Sequence, residues 1–172
     1  MFFIRKLTHT SLKSILKMYN QNHNTDEMYM QKALVLAQRA FVLREVPIGC
    51  VIVHDDKIIG QGYNLRNTKK NTLYHAEIMA IDQASRKLGD WRLENCALYV
   101  TIEPCPMCAG AILQARIPRL VFGAPNPKAG AAGSIVNLLD NSAFNHQTAI
   151  TQGVKQAECA ALMTDFFKVF RK

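Results

Sequence analysis

Between residues 26 and 44, apolar residues recur at intervals of three and four positions, the spacing that places side chains on one face of a helix. Asn24, followed three residues later by Glu27, matches the pattern of a capping box, which marks a helix start. The pattern therefore predicts a first helix from Asp26 to Arg44.

Short runs of apolar and β-branched residues indicate strands further along the chain. The runs at residues 49–53 and 57–59 lie on either side of His54-Asp55-Asp56, a polar turn, and together they predict a β-hairpin. Two more runs of this kind predict strands at residues 97–101 and 119–122.

Helical patterns alternate with these strands. One runs over residues 75–88 and ends at Gly89, a second runs from Cys105 to about Arg116, and a third covers residues 155–170. Strands that alternate with helices are typical of an α/β sheet flanked by helices. The segments at residues 63–74 and 123–133 are predicted as loops.

Side chains that suit a metal site occur at the start of two of these helices. His75 and Glu77 open the first, while Cys105 and Cys108 open the second, with Pro106 suited to the first helical position. One imidazole and two thiolates suit zinc, and three protein ligands leave a fourth position open, as in catalytic sites. Glu77 lies about 200° around the helix from His75, so it is free to move protons instead.

Each of these residues also has a more ordinary interpretation when it is taken alone. Cys105 and Cys108 could form a redox pair or half of a structural zinc site, and a zinc-stabilised RNA-binding module without catalysis is a further alternative. A structural zinc site would need a fourth cysteine or histidine at a suitable spacing. Cys50, Cys96 and Cys159 stand among apolar residues and are predicted to be small buried hydrophobic side chains.

His-x-Glu followed by Pro-Cys-x-x-Cys is the signature of zinc nucleobase deaminases. The chain resembles the bacterial tRNA-specific adenosine deaminases from about residue 27 to residue 170. This resemblance implies a cytidine-deaminase-like fold, an α/β/α three-layer sandwich with a central mixed sheet. The segments that carry it are Val46-Pro47-Ile48-Gly49, Gly60-Gln61-Gly62-Tyr63-Asn64, His75-Ala76-Glu77-Ile78-Met79-Ala80, Glu103-Pro104-Cys105-Pro106-Met107-Cys108-Ala109-Gly110-Ala111 and Gly130-Ala131-Ala132-Gly133-Ser134.

The same resemblance implies hydrolytic deamination of adenosine to inosine at the wobble position of a tRNA anticodon. It implies one zinc ion (Zn2+) per subunit on His75, Cys105 and Cys108, with Glu77 as the catalytic acid and base. It also implies a homodimer that binds a tRNA anticodon stem-loop. The substrate-binding residues that it implies are Asn64, Val46, Ala76, Pro104, Asn126 and Lys128.

Two positions depart from the family pattern. Pro125-Asn126 stands where the family usually has Arg-Asp, and Leu65 stands where it often has a basic residue. Asn126 can accept a hydrogen bond through its carbonyl and adds a donor, so we expect weaker selectivity for the ribose of RNA. A deaminase of a free base or nucleotide such as guanine or cytosine is the alternative enzyme.

The length and charge of the chain bear on its domain organisation and on its binding partner. The 172 residues fit one ordinary domain, predicted at residues 25–172 after a basic extension at residues 1–24. The net charge of +8 favours a polyanionic partner. We expect phosphate contacts from the basic residues predicted to flank the pocket, which are Arg66, Lys69, Lys70, Lys128, Lys168, Arg171 and Lys172.

Cysteine usage and hydropathy predict the compartment. Five cysteines, two of them in the Cys-x-x-Cys motif, favour a reduced, cytoplasmic setting. No apolar run approaches the 18 residues of a membrane helix, so no membrane association is expected. The extension at residues 1–24 also has the composition of an organellar transit peptide, or it is a solvated arm, or translation begins at Met18 or Met28.

Overall fold

A mixed β-sheet forms the centre of the fold. The computed structural model describes the backbone of residues 9–170 and the side chains of residues 24–170. Within these residues the sheet has five strands in the order β2-β1-β3-β4-β5. β1 is antiparallel to β2 and β3, whereas β3, β4 and β5 are parallel. The strands are β1 (Gly49–His54), β2 (Lys57–Tyr63), β3 (Cys96–Ile102), β4 (Arg119–Ala124) and β5 (Ala149–Gln152).

Helices cover both faces of this sheet. They are α1 (His9–Val42), α2 (Arg66–Lys69), α3 (Ala76–Leu88), α4 (Pro106–Gln114) and α5 (Gln156–Phe170). α1 and α5 pack on one face, while α3 and α4 pack on the other. This arrangement confirms the predicted α/β/α sandwich with a mixed sheet. None of the described helices is long and apolar enough to cross a membrane.

Both faces of the central strands are buried, which explains their continuous apolar runs. In β1, Cys50 and Ile52 pack toward α3 and α4, whereas Val51 and Val53 pack toward α1 and α5. Successive side chains of a strand point to opposite faces, so a strand covered on both sides needs an apolar residue at every position.

Strand direction gathers several loops at one edge of the sheet. β2, β3 and β4 run the same way, so the segments that begin at Asn64, Glu103 and Pro125 all leave from this edge. β1 runs the other way and begins there, just after Val46. Ligands of open α/β sheets bind outside the carboxyl ends of the strands, so this edge is the expected place for a site.

At the opposite edge, a buried carboxylate joins α1 to the sheet. Asp26 accepts hydrogen bonds from the Tyr99 hydroxyl at 3.0 Å and from Arg119 Nη1 and Nη2 at 2.8 and 2.7 Å. Arg119 also donates to Thr151 Oγ1 at 3.4 Å. The cluster therefore connects α1, β3, β4 and β5.

Several predicted boundaries differ from the structure. The capping box at Asn24 and Glu27 is wrong, because α1 begins upstream and continues through both residues. α4 ends at Gln114, two residues before the predicted end. α2 and β5 were not predicted, since each is only four residues long and neither contains a buried residue. The division at residue 24 stays a prediction: α1 crosses it, and residues 1–8 lie outside the described part.

Candidate active site

Three potential metal ligands meet at the start of α3 and α4. His75 and Cys105 occupy the N-cap positions of these helices, and Cys108 lies one turn into α4 after Pro106. His75 Nδ1 lies 3.7 Å from Cys105 Sγ and 3.5 Å from Cys108 Sγ, and all three ligand atoms lie within 4.8 Å of one another. Tetrahedral zinc with ordinary Zn–N and Zn–S bonds requires an N···S separation of about 3.6 Å. The donor set and its spacing therefore fit zinc.

Two glycines in β2 let α3 approach closely enough to bring His75 into this group. A Cβ at Gly62 would collide with the backbone oxygen of Ala76, and one at Gly60 would collide with that of Ala80. The first turn of α3 thus lies directly on the β2 backbone. Residues other than glycine at these positions would push the helix, and His75 with it, away from the sheet.

Hydrogen bonds among the three residues set their protonation. A hydrogen bond from the Cys108 thiol, opposed by burial and aided by His75, lowers the pKa of Cys105 to about 4. The same bond, together with burial, raises the pKa of Cys108. The bond to Cys105 raises the pKa of His75 despite burial and the nearby Arg66 charge. Cys105 is therefore ready as a thiolate, the form that binds metal.

Glu77 lies beside this group but outside the ligand cluster. Its side chain is buried, and Oε2 has no hydrogen-bond partner among the described residues. Burial raises the pKa of Glu77, because the charged form loses its hydration. A buried carboxylate oxygen without a partner is unusual in a folded protein, so it indicates a place for a ligand or a water.

A cavity of about 470 Å³ lies near the same edge of the sheet. It contains three of the six predicted substrate-binding residues, namely Val46, Asn126 and Lys128. Asn64, Ala76 and Pro104 do not line it. Its other lining residues are Ile48, Ile102, Pro125, Pro127, Met163 and Phe167.

Comparisons with known proteins agree with this geometry. A family model described as MafB19-like deaminase matches residues 24–171. The tRNA-specific adenosine deaminase of Bacillus subtilis (strain 168) is 47% identical over 147 residues, which cover 86% of this chain and 91% of the relative. This chain belongs to the tRNA-specific adenosine deaminase family. The enzyme of that name from Streptococcus pyogenes serotype M18 (strain MGAS8232) is 45% identical over 144 residues, covering 84% of this chain and 91% of the relative.

Solved structures also include a relative of this deaminase. A structure from a study of A-to-I editing by tRNA:A34 deaminases at the wobble position of transfer RNA is 41% identical. It superposes with a TM-score of 0.76 and covers 78% of this chain and 98% of that chain.

The departure at Asn126 has a structural consequence in this deaminase. Its side-chain Oδ1 accepts hydrogen bonds from the backbone N–H groups of Lys128 and Ala129, at 3.3 and 3.2 Å. The carbonyl that we expected to face a substrate is therefore engaged within its own turn. The amide nitrogen is the group of this side chain left to contact a substrate, and it is a donor.

Two buried carboxylates near the site of the deaminase were not identified from the sequence. Glu103 accepts hydrogen bonds from the loop that carries Asn126. Burial raises the pKa of Glu103, but these donors outweigh it and hold the pKa below its ordinary value. Glu45 is fully buried and accepts from Thr68 N at 2.5 Å, whereas its Oε2 has no partner among the described residues. The signal for Glu103 was its position just before Pro104-Cys105, together with a glycine-rich loop whose N–H groups need acceptors.

The other residues predicted to contact the substrate differ in their burial and in their partners. Asn64 is buried, and its backbone N–H donates to Ile48 O at 3.0 Å, next to the segment that holds Val46. Lys168 on α5 lies 3.7 Å from the Asp165 carboxylate, which partly neutralises it. Arg66, Lys69 and Lys70 are exposed at α2, and Arg171 and Lys172 lie outside the described residues. Cys50, Cys96 and Cys159 are buried and unpaired, as predicted.

Proposed function

We propose that this deaminase converts adenosine to inosine at the wobble position of a tRNA anticodon, with one zinc ion held by His75, Cys105 and Cys108. The observation that carries the proposal is the clustering of these three ligand atoms, with N···S distances of 3.7 and 3.5 Å, beside Glu77 Oε2, which has no hydrogen-bond partner among the described residues. Membership of the family supports adenosine in tRNA as the substrate. When bound, zinc lowers the pKa of a water molecule at its fourth position, so that a nucleophile forms near neutral pH.

Glu77 transfers the protons in this mechanism. Its carboxylate accepts a proton from the attacking water and delivers it to N1 of adenine, which makes C6 susceptible to attack. The same side chain then takes the remaining proton from the new C6 hydroxyl and passes it to the amine, so that the C6–N bond breaks, ammonia leaves and hypoxanthine remains. Burial raises the pKa of Glu77, which favours holding the proton between these steps.

The remaining residues orient the substrate in this proposal. The Asn64 amide offers donors and an acceptor to the edge of the base, and Val46 with the backbone at Ala76 and Pro104 borders the base. Asn126 and Lys128 contact the flanking nucleotides from the cavity wall. Anticodon bases are already unpaired, so extruding one of them into the pocket costs little.

We also propose a homodimer and a cytoplasmic location. Leu73 is 53% exposed. Together with Tyr74, Ile78 and Met79 it lines a groove of about 590 Å³ on the side of the molecule that carries His75. A second copy that covers this groove would remove the apolar side chains from water. Five cysteines without a disulfide support a reducing compartment.

Deamination of a small RNA tests the substrate. The wild-type protein should convert an anticodon stem-loop and leave free adenine, guanine and cytosine unchanged. The affinity for the stem-loop should fall with salt, with a log-log slope of about −0.7 per contact to a single-strand phosphate. Turnover of a free base, with the RNA untouched at low and moderate salt, would refute the tRNA substrate.

A charge-matched pair of variants tests the phosphate contacts. Replacing Lys69 and Lys70 by glutamine should flatten the salt slope, because both are exposed at α2 beside the site. Replacing Lys57 and Lys87 removes the same charge at the opposite edge of the sheet. Equal slopes for the two double variants would show that net charge, rather than a local contact, determines binding.

A further inference from the structure

Glu103, at the end of β3, accepts hydrogen bonds from the loop that carries Asn126. It follows β3 and lies two residues before Cys105, and it is only 2% exposed. Oε1 accepts from the backbone N–H groups of Ala132 and Ser134, both at 2.9 Å. Oε2 accepts from the Asn126 backbone N–H at 2.9 Å and from the Ser134 hydroxyl. Both oxygens of this carboxylate are therefore used by one loop.

The loop also fits closely around the segment that carries Glu103. The Ala131 N–H donates to Pro104 O at 2.8 Å. A Cβ at Gly130 would collide with the Glu103 carboxylate, so glycine is needed for the loop to pass at this distance. The backbone on either side of Gly130 thus depends on one buried charge.

We propose that Glu103 is a positioning residue that holds residues 126–134 in place relative to the ligand Cys105, so that the substrate meets a preformed cavity wall. The inference rests on the proposed function for the identity of the substrate. Asn126 and Lys128 lie in the cavity wall, at the end of the loop that Oε2 holds. Hydrogen bonds to a carboxylate are about twice as strong as neutral ones, and a wall ordered in advance need not be ordered on binding.

Glu103→Gln perturbs one end of the loop selectively. With its amide nitrogen at the Oε1 position, glutamine would face two backbone N–H groups, Ala132 and Ser134. With the nitrogen at the Oε2 position it faces only the Asn126 N–H, because the Ser134 hydroxyl can turn and accept. The second orientation is favoured, so the variant should release Asn126 while it retains the bonds to Ala132 and Ser134.

The expected result has a structural and a kinetic part. Amide hydrogen exchange at Asn126, Lys128 and Ala129 should become at least about tenfold faster, and exchange in β1 and β3 should stay unchanged. KM for the stem-loop should rise about tenfold or more, because the free energy of ordering the loop in the cavity wall is now spent on binding. kcat should stay within about threefold and zinc should remain at one per chain, since the ligands and Glu77 are untouched.

Two further variants separate positioning from general stability. Gly130→Ala keeps the charge of Glu103 but displaces the carboxylate, so it should also raise KM and speed exchange, even if Glu103→Gln folds poorly. Asp26→Asn replaces a buried carboxylate at the opposite edge of the sheet by an amide and so weakens its hydrogen bonds to Arg119. This variant should lower the melting temperature without changing KM.

Each other outcome contradicts a stated part of the reasoning. Unchanged exchange at Asn126, Lys128 and Ala129 would overturn the positioning role, and so would faster exchange with an unchanged KM. If KM rises as much for Asp26→Asn as for Glu103→Gln, the higher KM of Glu103→Gln is explained by lost stability and not by a positioning role. If the wild-type protein leaves the stem-loop untouched, the proposed function fails, and the exchange data alone decide whether Glu103 holds the loop.

Discussion

Replacing Asp26 by asparagine should destabilise the fold by removing one strong hydrogen bond between α1 and the sheet. The side chain of Asp26 is 7% exposed and accepts from Tyr99 and from both terminal nitrogens of Arg119. In the variant, the amide oxygen can still accept from Tyr99 and Arg119 Nη1. The new amide nitrogen then faces Arg119 Nη2, where two donors oppose each other.

The magnitude follows from the exposure of the two partners. A hydrogen bond to a charged group contributes about 1.5–3 kcal/mol. The side chain of Arg119 is 36% exposed, so water replaces part of the lost contact and the upper end of that range does not apply. We expect a loss of about 2 kcal/mol in the free energy of unfolding, or about 4–8 °C in melting temperature for a chain of this size.

Urea unfolding of a double-mutant cycle measures this interaction. Asp26→Asn, Arg119→Met and the double variant should give a coupling energy of at least about 1 kcal/mol. Asp82→Asn is the control, because its ion pair with Arg86 lies on the surface of α3, where such pairs contribute about 0.3–0.5 kcal/mol. A coupling energy no larger than the effect of the Asp82 variant would refute the argument from burial.

Three further predictions concern the site and the thiols. Glu77→Gln should lower kcat on the stem-loop about 10²–10⁴-fold while zinc stays bound, and a normal single-turnover rate would exclude its role in proton transfer. Cys108→Ala should lose most of its zinc in metal analysis, since two ligands rarely hold zinc; full occupancy would contradict the ligand assignment. Burial raises the pKa of Cys96 to about 11 and of Cys159 to about 12, so native protein at pH 8 should leave both thiols unalkylated by iodoacetamide. Their labelling, followed by mass spectrometry, should accelerate only toward those pH values or on unfolding, and rapid labelling at pH 8 would contradict their burial.

The periodic segments of the chain were predictable because their burial is encoded locally. The hairpin of β1 and β2, the end of α3 at Gly89 and the start of α4 after Cys105 all occur where the sequence pattern places them. In each case the apolar spacing and the terminating residue agree. Neighbouring side chains within one element are sufficient to determine such patterns.

The missed elements depend on contacts with distant residues. β5 is a half-exposed edge strand that exists through its parallel pairing with β4, and its four residues have no apolar run. α2 is a single turn without a buried residue. At Asn24 the local capping signal was overridden, since asparagine and threonine inside a helix cost at most about 0.7 kcal/mol each.

The sequence by itself determined the chemistry of the candidate site, because His75, Glu77, Cys105 and Cys108 lie at short spacings on two helix starts. Only the tertiary structure decided how these residues are surrounded. Strand directions bring the two helix starts to one edge of the sheet, and Glu103 finds its donors 23 to 31 residues away. Short spacing specifies which atoms can share a ligand, whereas burial and long-range hydrogen bonds arise only when separate segments pack together.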